Sequence, residues 1–364
     1  MKAFPIMIAG ILLSLNTSAQ LPKLLDEAIQ KHTQNGEPGI ALRIEKDGKV
    51  LYSSGHGLAD TKTRAPITPN TNFRMASVSK QFTAMAILLL EQDGKISMDD
   101  PLSKFFPEIP VRVSGKIKLR HLLNHSSGII DYESLMSDTI KEQLSDEDVL
   151  NMVKTQDSTY FEPGTRFRYS NSAYCLMTLI IEKVSGNSFP DFIRERIFQP
   201  LGMKSSMIYR ADAPIDQRAM GYARDNRGRI QPSDQSLTSA TKGDGGVYTS
   251  LNDYSKWIDG LRNNKLINFQ KAMEKLKFPI TEVPGSSYTA GWFVKSNSPD
   301  TFFHSGSTCG FSTFSIQVPS RNLSIVYFSN VAGNEQPFID IVQILEQNGL
   351  TDLSEVMKLH ALTR

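Results

Sequence analysis

Apolar residues recur along this chain with two spacings, and the switch between them divides it. Leu24, Leu25, Ala28, Ile29 and His32 fall on one helical face, and Gly36 ends the pattern. Ile40, Leu42 and Ile44 then alternate, Asp47-Gly48 supplies a tight turn, and Val50 and Tyr52 alternate again. This predicts a β-hairpin, because Asp-Gly suits the positive φ angles of a type I′ turn. From about Ser77 to Phe278 the spacing is helical. Residues 82–90 are apolar on nearly every face, which predicts a buried helix rather than a surface one. A second helix is expected from Asn171 to Ser185-Gly186, carrying Leu176, Leu179, Ile180 and Val184. Loops rich in Gly, Pro and charge intervene, notably residues 212–245. β-Branched and aromatic runs between turn clusters predict strands at 291–294, 301–304, 311–318 and 323–329. A last amphipathic helix carries Phe338, Ile339, Ile341, Val342 and Leu345.

The ends of the chain are therefore α/β and the middle is helical. An isolated hairpin is marginal, so the simplest assembly joins it to the C-terminal strands in one antiparallel sheet with the first and last helices on one face. The fold class is α+β. Residues 20–76 and 285–350 form the sheet region, 77–284 a helical region, and 351–364 a C-terminal extension.

The first residues change the picture of where the protein works. Lys2 precedes a largely apolar run over residues 4–15, and Thr17 and Ala19 are small residues just ahead of Gln20. This is the layout of a secretory signal peptide over residues 1–19, and its apolar run is shorter than the ~20 residues of a membrane-spanning helix. A secreted or periplasmic protein with no membrane span after cleavage is expected. The 364 residues carry 40 Lys plus Arg against 38 Asp plus Glu. That balance offers nucleic acid no basic stripe. Cys175 and Cys309 are too few for a disulfide framework, and two free thiols are expected.

Several chemistries are absent as motifs: the chain holds no G-x-S-x-G, H-E-x-x-H or G-x-x-x-x-G-K-[ST]. His121 and His125 stand at i, i+4, but without a Glu between them they read as structural histidines, not zinc ligands. What remains is a three-part serine constellation. Ser77-Val78-Ser79-Lys80 opens the buried helix, placing Ser77 and Lys80 on one face. A serine hydroxyl needs an adjacent base, and Lys80 can serve if burial lowers its pKa. A second S-x-x-K, Ser239 to Lys242, runs into Gly-Asp-Gly-Gly rather than a helix, which singles out Ser77. Tyr169-Ser170-Asn171 precedes a helix: Tyr169 can exchange a proton with the Ser77 oxygen, and Asn171 can hydrogen-bond a substrate amide. His304-Ser305-Gly306-Ser307 ends a strand whose small edge lets a substrate backbone lie against it.

S-x-x-K, Y-x-N and [KH]-[ST]-G in this order resemble the serine β-lactamase and penicillin-binding-protein family, in its class C β-lactamase-like and D-alanyl-D-alanine carboxypeptidase branch. Residues 73–76, 122–128, 161–171, 243–257 and 310–330 also look like that family. The resemblance implies an antiparallel sheet of about five strands flanked by helices, with an inserted all-helical region and the site between them. It implies that Ser77 is acylated while Lys80 and Tyr169 manage protons, and that the backbone N–H groups of Ser77 and Ser307 form the oxyanion hole. Asn171, His304, Ser305, Gly306 and Ser307 would line the substrate, and no cofactor or metal is needed. The partner is a small-molecule or peptide substrate: a D-alanyl peptide, a β-lactam or, for a carboxylesterase of the same family, an ester. A catalytically silent binder of peptidoglycan fragments is the remaining alternative. Where related β-lactamases usually carry Lys, this chain has His304, mostly neutral at pH 7 with its ordinary pKa of ~6.5. Substrates held by a free carboxylate should suffer, and should recover as pH falls from about 8 to 6.

Overall fold

The computed structural model describes residues 9–33, 35–281, 284–295, 301–353 and 356. Residues 1–8 of the expected signal peptide and residues 357–364 of the C-terminal extension lie outside them. The first helix, α1 (Ala9–Gln30), starts within the expected signal peptide and continues past it. Among the described residues no helix is long and apolar enough to cross a membrane.

The hairpin forms where Asp-Gly predicts it, between β1 (Ile40–Lys46) and β2 (Lys49–His56), with Asp47 and Gly48 both at positive φ. The C-terminal strands are β3 (Phe278–Pro279), β4 (Ser286–Thr289), β5 (Trp292–Lys295), β6 (Thr301–Thr308), β7 (Phe311–Val318) and β8 (Leu323–Ser329). They join the hairpin in one antiparallel sheet of order β3-β4-β5-β6-β7-β8-β1-β2. The seam pairs Leu42 with Tyr327 and Ile44 with Ile325.

The sheet therefore has eight strands, not five. The added strands escape a pattern search because Ser286–Thr289 lacks alternation, being buried on both faces, and Phe278–Pro279 is only two residues long.

Alternation assigns the two faces. Ile40, Leu42, Ile44, Ile325 and Tyr327 pack with Leu25 and Ile29 of α1 and with Phe338, Ile341 and Leu345 of the last helix (Gln336–Gln347). Leu353 and Val356 at the start of the C-terminal extension are buried in that same cluster. Ala41, Val326 and Phe328 face the other way, toward the inserted helices α2 (Lys80–Gln92), α3 (Asn171–Ser185) and α4 (Leu251–Arg262). Every residue of α2 from Lys80 to Leu90 is buried, as its all-round apolar pattern predicts. Short strands also occur between the helices, and one of them, Val247–Thr249, pairs with Phe73–Arg74 just ahead of Ser77.

Candidate active site

The turn that carries Ser77 is held from two sides. Met75 N donates to Val247 O at 2.8 Å, and Thr313 Oγ1 of β7 donates to Met75 O at 2.9 Å. Ala76 takes a positive φ of 47°, a strained conformation for a residue with a side chain. Residues Ala76–Ser79 then form a 3₁₀ turn that leads into α2. Ser77 thus lies one turn before the α-helix, and the three-residue period of that turn sets Lys80 directly beneath it.

Lys80 Nζ is buried and donates to Ser77 Oγ at 3.2 Å, Asn171 Oδ1 at 2.8 Å and Asp244 O at 2.9 Å. Three acceptors meet the three donors of an ammonium. Burial alone would favour the neutral amine, but the attraction of Tyr169 and Asp244 outweighs it and the net direction is upward. The condition that burial lower the Lys80 pKa is therefore not met, and the net direction favours the ammonium.

Tyr169 is the complement of that arrangement. Its hydroxyl is buried without a hydrogen-bond partner among the described residues, yet it lies near enough to Ser77 and Lys80 for both to bear on its acidity. Burial pushes the phenol upward, and Lys80 and Ser77 offset this only in part. A loose hydroxyl beside a nucleophile is the state in which a proton carrier waits for substrate. His125 packs against the Tyr169 ring in a tilted arrangement, 4.2 Å between centroids. The Ser170 amide donates to His125 Nδ1 at 3.1 Å, so the remaining proton of a neutral ring is on Nε2. Burial first, then Lys80 and His304, keep His125 neutral, with its pKa well below the ordinary value.

Asn171 enters as the first residue of α3, capped by Ser170 Oγ, which accepts from Ala173 N at 3.2 Å. The Asp131 carboxylate accepts from Asn171 N at 2.6 Å, and Asn171 Nδ2 donates to Glu133 Oε1 at 3.1 Å. The fold thus brings Ser77, Lys80, Tyr169 and Asn171 together.

β6 passes alongside, and Gly306 is what lets it come close. A Cβ there would stand 2.4 Å from Met75 O and 3.0 Å from the Ala76 Cβ. The missing side chain is what lets the strand and the nucleophile turn pack this closely. Ser305 is half-buried and Ser307 exposed. His304 is different, being buried in the sheet. Its Nδ1 donates to Ser305 O at 2.6 Å, and Tyr288 donates to its Nε2 at 3.0 Å. In this arrangement both ring nitrogens have partners within the protein.

Sequence reasoning missed Asp131, Glu133 and Asp244. Asp244 lies in the Gly-Asp-Gly-Gly that seemed only to disqualify the second S-x-x-K. It gives Lys80 its carbonyl and accepts from Tyr132 OH at 3.3 Å. The second motif is itself occupied structurally: Ser239 is buried and accepts from Ser236 N at 2.8 Å, while Lys242 approaches Asp146 at 3.8 Å. Among the other residues weighed, His121 Nδ1 accepts from Lys118 N at 3.2 Å, and burial lowers its pKa to about 4. Both cysteines are free thiols; burial, then Asp244, pushes the Cys175 thiol up, and Cys309 donates to Asp234 O at 3.4 Å.

Residues 25–348 match the Beta-lactamase family model. The chain is 32% identical over 336 residues to Penicillin-binding protein 4* of Bacillus subtilis (strain 168), covering 86% of this chain and 72% of that protein. It is 30% identical over 323 residues to Protein flp of Staphylococcus aureus (strain NCTC 8325 / PS 47), covering 86% of this chain and 64% of Flp, so it spans just under two thirds of that relative. Two solved structures share the fold. The octameric penicillin-binding protein homologue from Pyrococcus abyssi aligns with a TM-score of 0.77 at 28% identity, over 93% of this chain and 78% of that one. A penicillin binding protein from Bacillus halodurans aligns at 0.78 and 25% identity, over 90% and 98%. With the family model matched over most of its length and a relative 32% identical over 336 residues, the chain belongs to the serine β-lactamase and penicillin-binding-protein family.

Proposed function

We propose that the protein is an exported serine hydrolase that forms an acyl-enzyme on Ser77 and acts on amides or esters of D-amino acids and D-alanyl peptides. The observation that carries this reading is Lys80 Nζ at 3.2 Å from Ser77 Oγ, with the unpartnered Tyr169 hydroxyl beside them. Ser77 Oγ attacks the substrate carbonyl carbon, and its proton passes to the deprotonated member of the Lys80–Tyr169 pair. The N–H groups of Ser77 and Ser307 stabilise the tetrahedral oxygen. The bond to the leaving amine or alcohol breaks as that group takes up the proton. Water then attacks the acyl carbon, gives its proton to the same pair, and restores Ser77. Export rests on the charged, apolar and small-residue order of residues 1–19.

The engaged nitrogens of His304 favour substrates without a required carboxylate over β-lactams. The carboxylesterase reading therefore stays close to the leading one, since a single acyl-enzyme route serves both. Stopped-flow mixing with 4-nitrophenyl acetate tests the step they share. A burst of nitrophenolate near one equivalent of enzyme is expected, lost in Ser77→Ala. Release at the background rate by the wild type would leave the silent binder as the better reading.

A further inference from the structure

A hollow of about 460 Å³ lies between the sheet and the helices that cover it, and none of Ser77, Lys80, Tyr169 or Asn171 lines it. Its sheet side is formed by Trp292 of β5, Phe302 of β6 and Gln317 of β7. Its helix side is formed by Leu261 and Arg262 at the end of α4 and by Phe269 of the helix Phe269–Leu276. Gln317 pairs with Phe302 across the sheet, so its side chain lies on the face that the inserted helices cover. The Phe269 ring stands 6.4 Å from both Trp292 and Phe302, centroid to centroid. The hollow is thus apolar over much of its wall and of the size that small molecules occupy.

What it lacks is an acceptor for its buried donors. Trp292 is 1% exposed, and its Nε1, like Gln317 Nε2, is buried without a hydrogen-bond partner among the described residues. Buried polar groups are nearly always paired, so two unanswered donors in the wall of one hollow call for an acceptor from outside the chain. Arg262 adds an exposed guanidinium with no carboxylate partner among the described residues. The carboxylate in the lining, Glu274, is already paired with Lys277 at 3.2 Å.

We infer that this hollow is a ligand site, separate from the acylation cleft, for a small carboxylic acid with an apolar body, such as a medium-chain alkanoate. The apolar body packs against Leu261, Phe269 and Phe302, and the carboxylate accepts from the indole, the amide and the guanidinium. A carboxylate answers these donors better than a neutral carbonyl for two reasons. Its two oxygens offer about four lone-pair sites, enough for donors on both sides of the hollow. Its charge also meets that of Arg262, and a hydrogen bond between ionised groups is roughly twice as strong as a neutral one.

The test is a calorimetric titration of the wild type, Trp292→Phe, Gln317→Leu and Arg262→Ala with octanoate and with uncharged 1-octanol. The wild type is expected to bind about one equivalent of octanoate saturably, with a Kd below about 1 mM, and octanol at least about fivefold more weakly. Trp292→Phe and Gln317→Leu should each weaken octanoate by about threefold to tenfold. Arg262→Ala should bring octanoate down to the affinity of octanol. Octanoate should also raise the Tm of the wild type more than that of Arg262→Ala. Because Arg262 is an exposed side chain, that comparison holds even if Trp292→Phe does not fold. No saturable binding, equal affinity for octanol, or octanoate binding unmoved by Arg262→Ala would overturn the inference. So would binding that blocks fluorophosphonate labelling of Ser77 and survives the substitutions, since octanoate would then occupy the acylation cleft.

Discussion

Tyr288 donates its hydroxyl hydrogen to His304 Nε2 across 3.0 Å, and this bond decides what the third motif can do. With Nδ1 committed to Ser305 O at 2.6 Å, both ring nitrogens are engaged within the protein, and the ring lies beside Tyr169. Tyr288→Phe should cost about 1–3 kcal/mol in urea unfolding, because it removes the buried donor to Nε2.

The Lys80–Tyr169 pair sets the pH dependence of acylation. Both groups titrate above their ordinary values, Lys80 because Tyr169 and Asp244 outweigh burial and Tyr169 because of burial itself. The active base is the form with one proton removed, so its fraction grows with pH throughout the neutral range. The rate of Ser77 labelling should climb up to about tenfold per pH unit from pH 6 to 9. A plateau already reached at pH 6 would mean that the pair holds a free base there.

Gly306→Ala tests how closely β6 must approach the nucleophile. Its Cβ would meet Met75 O at 2.4 Å and Thr313 Oγ1 at 2.5 Å, so strand and turn must separate. Stability should fall by about 1–3 kcal/mol, and acylation should slow more than the loss of folded protein explains. Normal labelling in a stable variant would show that the turn tolerates the separation.

Asp146 makes a separate prediction about stability. Its carboxyl is fully buried and pushed up to about 7 by burial, against the offsetting Lys242 and the amide N–H groups of Lys242 and Gly243. The folded state therefore holds a proton that the unfolded state has already lost between the ordinary carboxylate range and pH 7. This group's contribution to stability falls as pH rises through that window, by up to about 1.4 kcal/mol per unit, and levels off above it. Asp146→Asn should gain on the wild type from pH 5 to 8. A stability difference that is constant over that range would contradict the assignment.

What the sequence made legible follows its strongest physical signals. Asp47-Gly48, the all-round apolar run of α2 and the Ser185-Gly186 end of α3 stand where their patterns predict, Gly186 at a φ of 76°. Ser77, Lys80, Tyr169 and Asn171 were readable because local motifs carry them. Strand β4 was not, since a strand buried on both faces shows no alternation. The charge state of Lys80 was equally hidden, because it depends on Asp244, 164 residues away along the chain. The same holds for His304, whose partner Tyr288 sits on that unread strand.

The central claim is that Ser77, activated by the Lys80–Tyr169 pair, is the nucleophile, and intact-protein mass spectrometry after fluorophosphonate treatment tests it most directly. The wild type should gain one adduct, mapped to Ser77 by peptide fragmentation, and Ser77→Ala should gain none while remaining folded. A wild type that takes no adduct, or a Ser77→Ala variant that is labelled at Ser239 instead, would contradict the account.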